Sequence, residues 1–511
     1  MVRKKHRNES PRHLVRAQAE RDYAPAYLPA ASPHPVQPAQ TRWSPAPFMS
    51  DSLNHIETET IYPIALDRRH GRPRDLFTVW FGSNMMMLTV VTGALATTLF
   101  AQPLGPALAA LVVGNLVGGV FMALHAAQGP RLGVPQMIQT RGQFGLWGAV
   151  PVTALVVLMY VGFAASNFVL GGEGLQQIFP GFGRMGCVVA MGVLTAIPAL
   201  MGYRMIHAAA RTMTVLCGVV VVASLLYVWV TQYPAIVAAP SRPATLRGML
   251  ASLSAAALWQ IAYAPYVSDY SRYLPPGRAG ERAAFHASFW GCVGGSVLPM
   301  SIGALIGLLA GGQNVVATFA ALLGVWAVPV LAALSLGITV ATAMNIYCGA
   351  LSTLTVLQTF RPTRQHRLGA RIAVTLGLCG LTFIMAVVMS RSFMAAYDTF
   401  LQALMAVMIP WTAINLTDYY VLHHGEYDVA SFFSPTGGRY GLFNKPALAC
   451  YVIGIAVQVP FFATDFYTGP IARMMHGIDL AWVVSLCVTG PLYWAVERRF
   501  NPKALPPSPT P

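Results

Sequence analysis

Two stretches of the chain set polar chemistry inside runs that are otherwise apolar. The first, "WFGSNMMMLTVVTG" (80–93), carries Gly82, Ser83 and Asn84; the second, "WQIAYAPYVSDYSRY" (259–273), carries Pro265 midway and ends in Asp269, Tyr270, Ser271, Arg272 and Tyr273. Such residues interrupt a helix and leave backbone carbonyls and amides without intrahelical partners. Inside hydrocarbon those freed groups survive only where they line a cavity, and there they bind ions and polar ligands. The chemistry read from these residues is therefore binding rather than bond-making. Each break taken alone also has a packing explanation, because Gly and Pro are frequent in membrane helices.

No other cluster offers catalysis. HExxH and GxSxG are absent and the histidines fall mostly in loops, which leaves a membrane-embedded enzyme as a remote alternative. The stretch "HHGEYD" places His423, His424, Glu426 and Asp428 at a spacing that could bind metal, yet it reads as a solvated cytoplasmic loop. Glu173 and Asp398 would be proton-relay candidates at depth, but they fall near the outer ends of their spans and read as solvated. Asp269, Arg272 and Asp418 sit at the cytoplasmic ends of apolar runs and read as structural or gating groups, Asp269 pairing with Arg204 or Arg211. The seven cysteines (187, 217, 292, 348, 379, 450 and 487) show no CxxC spacing and read as small buried residues. No cofactor is expected.

The elements that hold these residues follow from composition. Of 511 residues 55% are hydrophobic and 10% charged, against about 25% charged in soluble domains. Stretches such as 104–124 and 213–230 lack charge altogether, and about 20 apolar residues span the hydrocarbon layer. Twelve spans are expected, at 76–100, 104–126, 147–171, 185–202, 206–230, 248–268, 285–311, 327–357, 370–390, 396–419, 446–463 and 476–496, with a short interfacial helix at 313–325. Residues 1–70, basic and then Pro/Ala-rich without an apolar signal core, read as a disordered cytoplasmic tail. Residues 71–497 read as the transmembrane domain and 498–511 as a second cytoplasmic tail.

The net charge of +15 belongs to loops rather than to a nucleic-acid face. With the N-terminus inside, thirteen Lys/Arg fall in short cytoplasmic loops (131, 141, 204, 211, 272, 278, 282, 361, 364, 367, 371, 439 and 445) and five in outer loops (184, 242, 247, 391 and 473). That asymmetry puts both termini in the cytoplasm, and a bacterial inner membrane is the expected home. The two interrupted spans are the first and the sixth, the matching positions of two five-helix repeats. A pair of broken helices so placed points to a transporter binding site.

Five stretches in register, "RDLFTVWFGSNMMM", "GYRMIHAAARTM", "APYVSDYSRYLP", "NIYCGALS" and "INLTDYY", resemble the nucleobase–cation symporter-1 family of purine, cytosine, uracil, allantoin and hydantoin permeases. The resemblance covers about residues 70–500. It implies an all-α leucine-transporter-type fold of twelve helices, with helices 1–5 and 6–10 as inverted repeats, and import of a heterocycle with Na+ or H+. The family's stacking and amide positions imply a substrate site from Tyr160, Phe163 and Asn167 on helix 3, Trp259, Gln260 and Tyr263 on helix 6, and Asn345 on helix 8. An ungapped alignment on Asp269 puts Gln260 at the stacking position. The family's cation site implies the backbones of Gly82 and Met85 with Thr339 and Thr342, although Val340-Ala341 replaces an adjacent hydroxyl pair and keeps proton coupling open. An amino-acid carrier of the same fold is the alternative.

Overall fold

The computed structural model describes residues 61–239, 243–361, 368–391, 393–464 and 467–500. Residues 1–60 and 501–511, and with them most of both expected tails, lie outside the described residues. The last ten residues of the expected N-terminal tail are built into the protein instead. Ile61 and Ile64 are buried, the Ile64 N–H donates to Gly133 O, and Arg69 donates to Ile64 O and Pro130 O. Ile61 and Ile64, three positions apart, gave this short stretch a face to bury that its composition did not reveal.

Helical segments occupy all twelve expected positions. Helix 1 is broken into Pro73–Asn84 and Met87–Ala94. Helices 2 to 5 are Leu104–Ala126, Ala149–Ile178, Gly183–Met201 and Tyr203–Thr231. Helix 6 is broken into Leu246–Ile261 and Ala264–Ser271. Helices 7 to 9 are Arg278–Leu309, Ala327–Phe360 and Leu368–Met389. Helix 10, Phe393–Leu416, runs into a π turn at Thr417–Leu422, and Lys445–Ala456 and Ala481–Phe500 are helices 11 and 12. Eight of these are singly long and apolar enough to cross a membrane, and helix 1 makes a ninth if its two halves, bent by 60°, count as one span. Helices 6, 11 and 12 complete the set at their expected places. The interfacial helix before helix 8 is Val315–Leu323, and a further helix, Gln136–Phe144, lies between helices 2 and 3.

Both breaks have local causes. Pro265 stands in the first turn of the second half of helix 6, where a missing N–H costs nothing. In helix 1 the chain leaves the helix at Met85 (φ −80°, ψ 66°) and is extended at Met86 (φ −146°, ψ 164°) before re-entering. Around these breaks, helix 7 packs along both halves of helix 1 and along helix 2, while helix 2 packs along helix 6 and helix 3 along helix 8. Lipid offers no hydrophobic drive for such contacts, so close packing of small residues must supply it. Gly303 of helix 7 shows how close: a Cβ there would stand 1.8 Å from Val90 O. Outward faces remain apolar, with Val215, Val219, Leu226 and Val230 exposed on helix 5 and Leu376, Ile384 and Val388 on helix 9.

Candidate substrate and ion site

A cavity lies where the two broken helices face helices 3 and 8. Ser83, Met86 and Leu88 enter it from helix 1, and Trp259, Ala262, Tyr263 and Tyr266 from helix 6. Phe163 and Asn167 come from helix 3 and Ala341, Met344 and Asn345 from helix 8. Each of those pairs, 163/167 and 341/345, is spaced i, i+4 and so shares one helix face. The free volume is about 20 Å3, room for a water molecule rather than a ring. The walls must separate to admit a larger ligand.

Aromatic edges and faces make up most of the lining. Phe163 and Trp259 meet edge to face at 6.2 Å, and Phe163 meets Phe400 of helix 10 in the same way at 5.1 Å. Tyr263 and Tyr266 are 5.5 Å apart, and Trp80 backs both at 5.4 and 5.9 Å. Such a wall offers a ligand stacking surface.

Polar groups are divided unequally between the walls. On the helix 1–6 side, Asn84 Oδ1 accepts from Trp259 Nε1 (2.7 Å), the Tyr263 hydroxyl (2.9 Å) and Ser296 Oγ (3.0 Å). On the helix 3–8 side, both amide atoms of Asn167 and Oδ1 of Asn345 are buried with no hydrogen-bond partner in the protein. A buried amide left so costs about 1–3 kcal/mol. A ligand that supplies both a donor and an acceptor would satisfy it.

The expected ion-site residues Gly82, Met85, Thr339 and Thr342 are not in the cavity lining. Gly82 O accepts the Met85 N–H at 3.2 Å. Met85 O is directed at helix 8, where a Cβ on Gly337 would stand only 2.6 Å from it. Thr339 and Thr342 donate their protons to Leu336 O (2.6 Å) and Ile338 O (2.7 Å) of their own helix, so the lone pairs of both hydroxyls stay free. Carbonyls and hydroxyl oxygens without a fixed charge are the donor types a hard monovalent cation takes.

Two expected substrate residues are absent from the lining. Gln260 points away from the cavity and donates to Asn115 Oδ1 (2.6 Å) and Ser296 Oγ (3.1 Å), binding helices 2, 6 and 7 together. Trp259, one position earlier, lines the cavity instead. Adjacent residues of a helix are turned by about 100° from each other, so the indole of Trp259 and the amide of Gln260 face different neighbours. Tyr160 stands one turn before Phe163, behind the wall, its ring edge-on to Tyr266 at 5.1 Å.

The gate candidates are buried polar anchors at the ends of helices 6 and 10. Asp269 Oδ1 accepts the N–H of Gln136 at 2.9 Å, a backbone partner in place of the expected arginine. Arg272 donates from Nε to Asp269 O and from Nη2 to the Tyr273 hydroxyl. Asp418, wholly buried, accepts from the hydroxyls of Tyr427 and Tyr493 and from Gln143 Nε2. His423 is buried 3.3 Å from the same carboxylate, so this part of "HHGEYD" is not solvated. Among the described residues no group of three or more His, Cys, Asp or Glu could hold a metal. Glu173 pairs with Arg184 at 2.7 Å; the side chain of Asp398 lies outside the described residues.

Sequence reasoning named the helix 1 break but missed Asn84 as its organiser, along with Tyr266, Met86 and Met344. Tyr266 had a signal, since it follows Tyr263 by three positions across the break. Asn84 had none beyond its polarity, because its partners are 175, 179 and 212 residues away.

Comparison with known proteins agrees with this geometry. Residues 63–485 match the family model described as permease for cytosine/purines, uracil, thiamine, allantoin. The putative purine-cytosine permease YxlA of Bacillus subtilis strain 168 is 34% identical over 445 residues, 87% of this chain and 96% of that protein. The hydantoin permease of Microbacterium maritypicum is 22% identical over 464 residues, 86% of this chain and 91% of that one. Among solved structures, Mhp1, a nucleobase-cation-symport-1 family transporter closed around bromovinylhydantoin, superposes with a TM-score of 0.70 at 17% identity, over 88% of this chain and 96% of that one. A Na+-coupled sialic acid symporter in its substrate-bound outward-open state gives 0.58 at 12% identity, over 85% and 91%. The shared fold is the leucine-transporter type, with two inverted five-helix repeats.

Proposed function

From the premise that the chain belongs to the family of permeases for cytosine/purines, uracil, thiamine and allantoin, we propose that it is a secondary active transporter, importing a planar nitrogen heterocycle of the nucleobase class with a cation. The observation that carries this reading is the unpartnered Asn167 amide, set among the rings of Phe163, Trp259, Tyr263 and Tyr266. A nucleobase has two π faces and a rim of alternating donors and acceptors. Its faces stack on the rings, and its edge supplies the donor and acceptor that Asn167 lacks, with Asn345 Oδ1 as a further acceptor. An amino acid would bring a carboxylate and an ammonium to a cavity whose described lining holds no charged side chain.

The cation is Na+ in this reading, held by Gly82 O, Met85 O and the hydroxyls of Thr339 and Thr342. Bound there, it would join helix 1 to helix 8 and so favour the arrangement that holds the substrate. Proton coupling is the alternative that the missing hydroxyl pair keeps alive. The distribution of lysines and arginines supports both termini being cytoplasmic, and a bacterial inner membrane is part of the same proposal.

Uptake into proteoliposomes tests the proposal, with radiolabelled cytosine, uracil, adenine, hypoxanthine, allantoin, a hydantoin and leucine under separate Na+ and H+ gradients. Concentrative uptake of one heterocycle is expected under the Na+ gradient. Uptake under H+ alone would reassign the ion. Leucine uptake alone, or no uptake by folded protein, would overturn the reading.

A further inference from the structure

We infer that Asn84 is a specificity-determining positioning residue: it holds the donor groups of Trp259 and Tyr263 away from the substrate, leaving the substrate's polar edge to be read by the opposite wall. The inference rests on the heterocycle transport proposed above and adds to it a division of labour between the walls.

Asn84 is the last residue of the first half of helix 1 and is wholly buried. Its side chain has little freedom. Indole N–H is a donor only, so the oxygen of the amide must face Trp259 Nε1, and this fixes the orientation. The nitrogen then donates to Trp80 O (2.7 Å) and Cys292 Sγ (3.4 Å). Three donors, from Trp259, Tyr263 and Ser296, crowd the one oxygen. Ser296 accepts in turn from Gln260 Nε2, which also reaches Asn115 Oδ1. The network therefore runs from helix 2 through helices 6 and 7 to helix 1, and it ends on two rings of the cavity wall.

The consequence concerns what the substrate meets. The indole and phenol could each donate to a base. With both protons committed to Asn84, the Trp259 indole and the Tyr263 phenol present the base with ring surface. The opposite wall carries the unpartnered amide of Asn167 and the Asn345 oxygen. Selection among bases by their hydrogen-bonding edge then falls to helices 3 and 8. Loss of the Asn84 acceptor would release two buried donors into the cavity, and the released donors would favour a different pattern of acceptors on the base.

The test compares wild type, Asn84→Ala, the double variant Trp259→Phe/Tyr263→Phe, and the triple combination, in proteoliposome uptake of adenine, hypoxanthine, cytosine, uracil and allantoin. The phenylalanines keep the rings and delete the donors. Asn84→Ala is expected to change the kcat/KM ratio between the two best substrates by about tenfold, chiefly through KM. In the double-variant background the same substitution should change it less than about twofold, because nothing remains to be held. An unchanged ratio in Asn84→Ala, or an equal change in both backgrounds, would overturn the inference. Should Asn84→Ala not fold, Asn84→Asp keeps an acceptor for the three donors: a preserved ratio supports the assignment and an altered one overturns it. Failure of the folded wild type to take up any of these five compounds or a hydantoin would sink the transport reading itself, and this inference with it.

Discussion

Asp269, in the second half of helix 6, accepts the backbone N–H of Gln136 at 2.9 Å. It thereby caps from outside the helix Gln136–Phe144, which sits between helices 2 and 3. The same short helix sends Gln143 to Asp418 and Arg141 to the carbonyls of Phe432 and Thr355. Helices 6, 8 and 10 and the loop after helix 10 are thus tied to one element. Burial pulls the Arg141 guanidinium down to about 10, yet it stays charged at neutral pH.

The Gln136 N–H needs an acceptor at position 269, which asparagine also supplies, while the carboxylate charge of Asp269 faces the buried Arg272 guanidinium. Asp269→Asn should keep uptake within about threefold of wild type, whereas Asp269→Ala orphans the N–H and should lower stability by about 1–3 kcal/mol. Thermal unfolding in detergent together with uptake checks both. Equal damage from the two substitutions would refute the capping role.

Asn167 is a case where function and stability should part. Asn167→Leu removes an unpartnered buried amide, so the folded protein should melt no lower than wild type, while uptake falls by at least about tenfold. A melting point well below wild type would mean the amide is satisfied in the protein and is not kept for a ligand.

Gly337 leaves the space into which Met85 O is directed. Gly337→Ala should push that carbonyl aside and raise the cation concentration for half-maximal uptake by about tenfold, with a much smaller effect on base affinity at saturating cation. Cation titration of uptake decides it; an unchanged half-saturation would remove Met85 O from the ion site.

Asp418 accepts one tyrosine hydroxyl on each oxygen, Tyr493 on Oδ1 and Tyr427 on Oδ2. Asparagine has a single acceptor, so Asp418→Asn should cost about 1–3 kcal/mol. Adding Tyr493→Phe removes the orphaned donor and should recover part of the loss. Additive losses in the pair would argue against this coupling.

Much of this molecule was legible from its residues alone. Apolar run length and the scarcity of charge gave the spans, since a hydrocarbon solvent admits little else, and Gly82-Ser83-Asn84 with Pro265 marked the two breaks because helix propensity is a local property. The family resemblance pointed to Phe163, Thr339 and Thr342, and spacing within one helix set Asn167 on the same face as Phe163. What local properties could not carry was rotation and partnership across helices. Gln260 and Trp259 are neighbours in sequence, and only the rotation of helix 6 against its neighbours decides that the indole faces the cavity and the amide faces helix 2. The packed tail at Ile61 and Ile64, the burial of His423 and the three-donor role of Asn84 likewise depend on residues far away in the chain. A hydrogen bond is fixed by distances of tenths of an ångström between elements that no local pattern relates, so those partners were settled only when the helices packed.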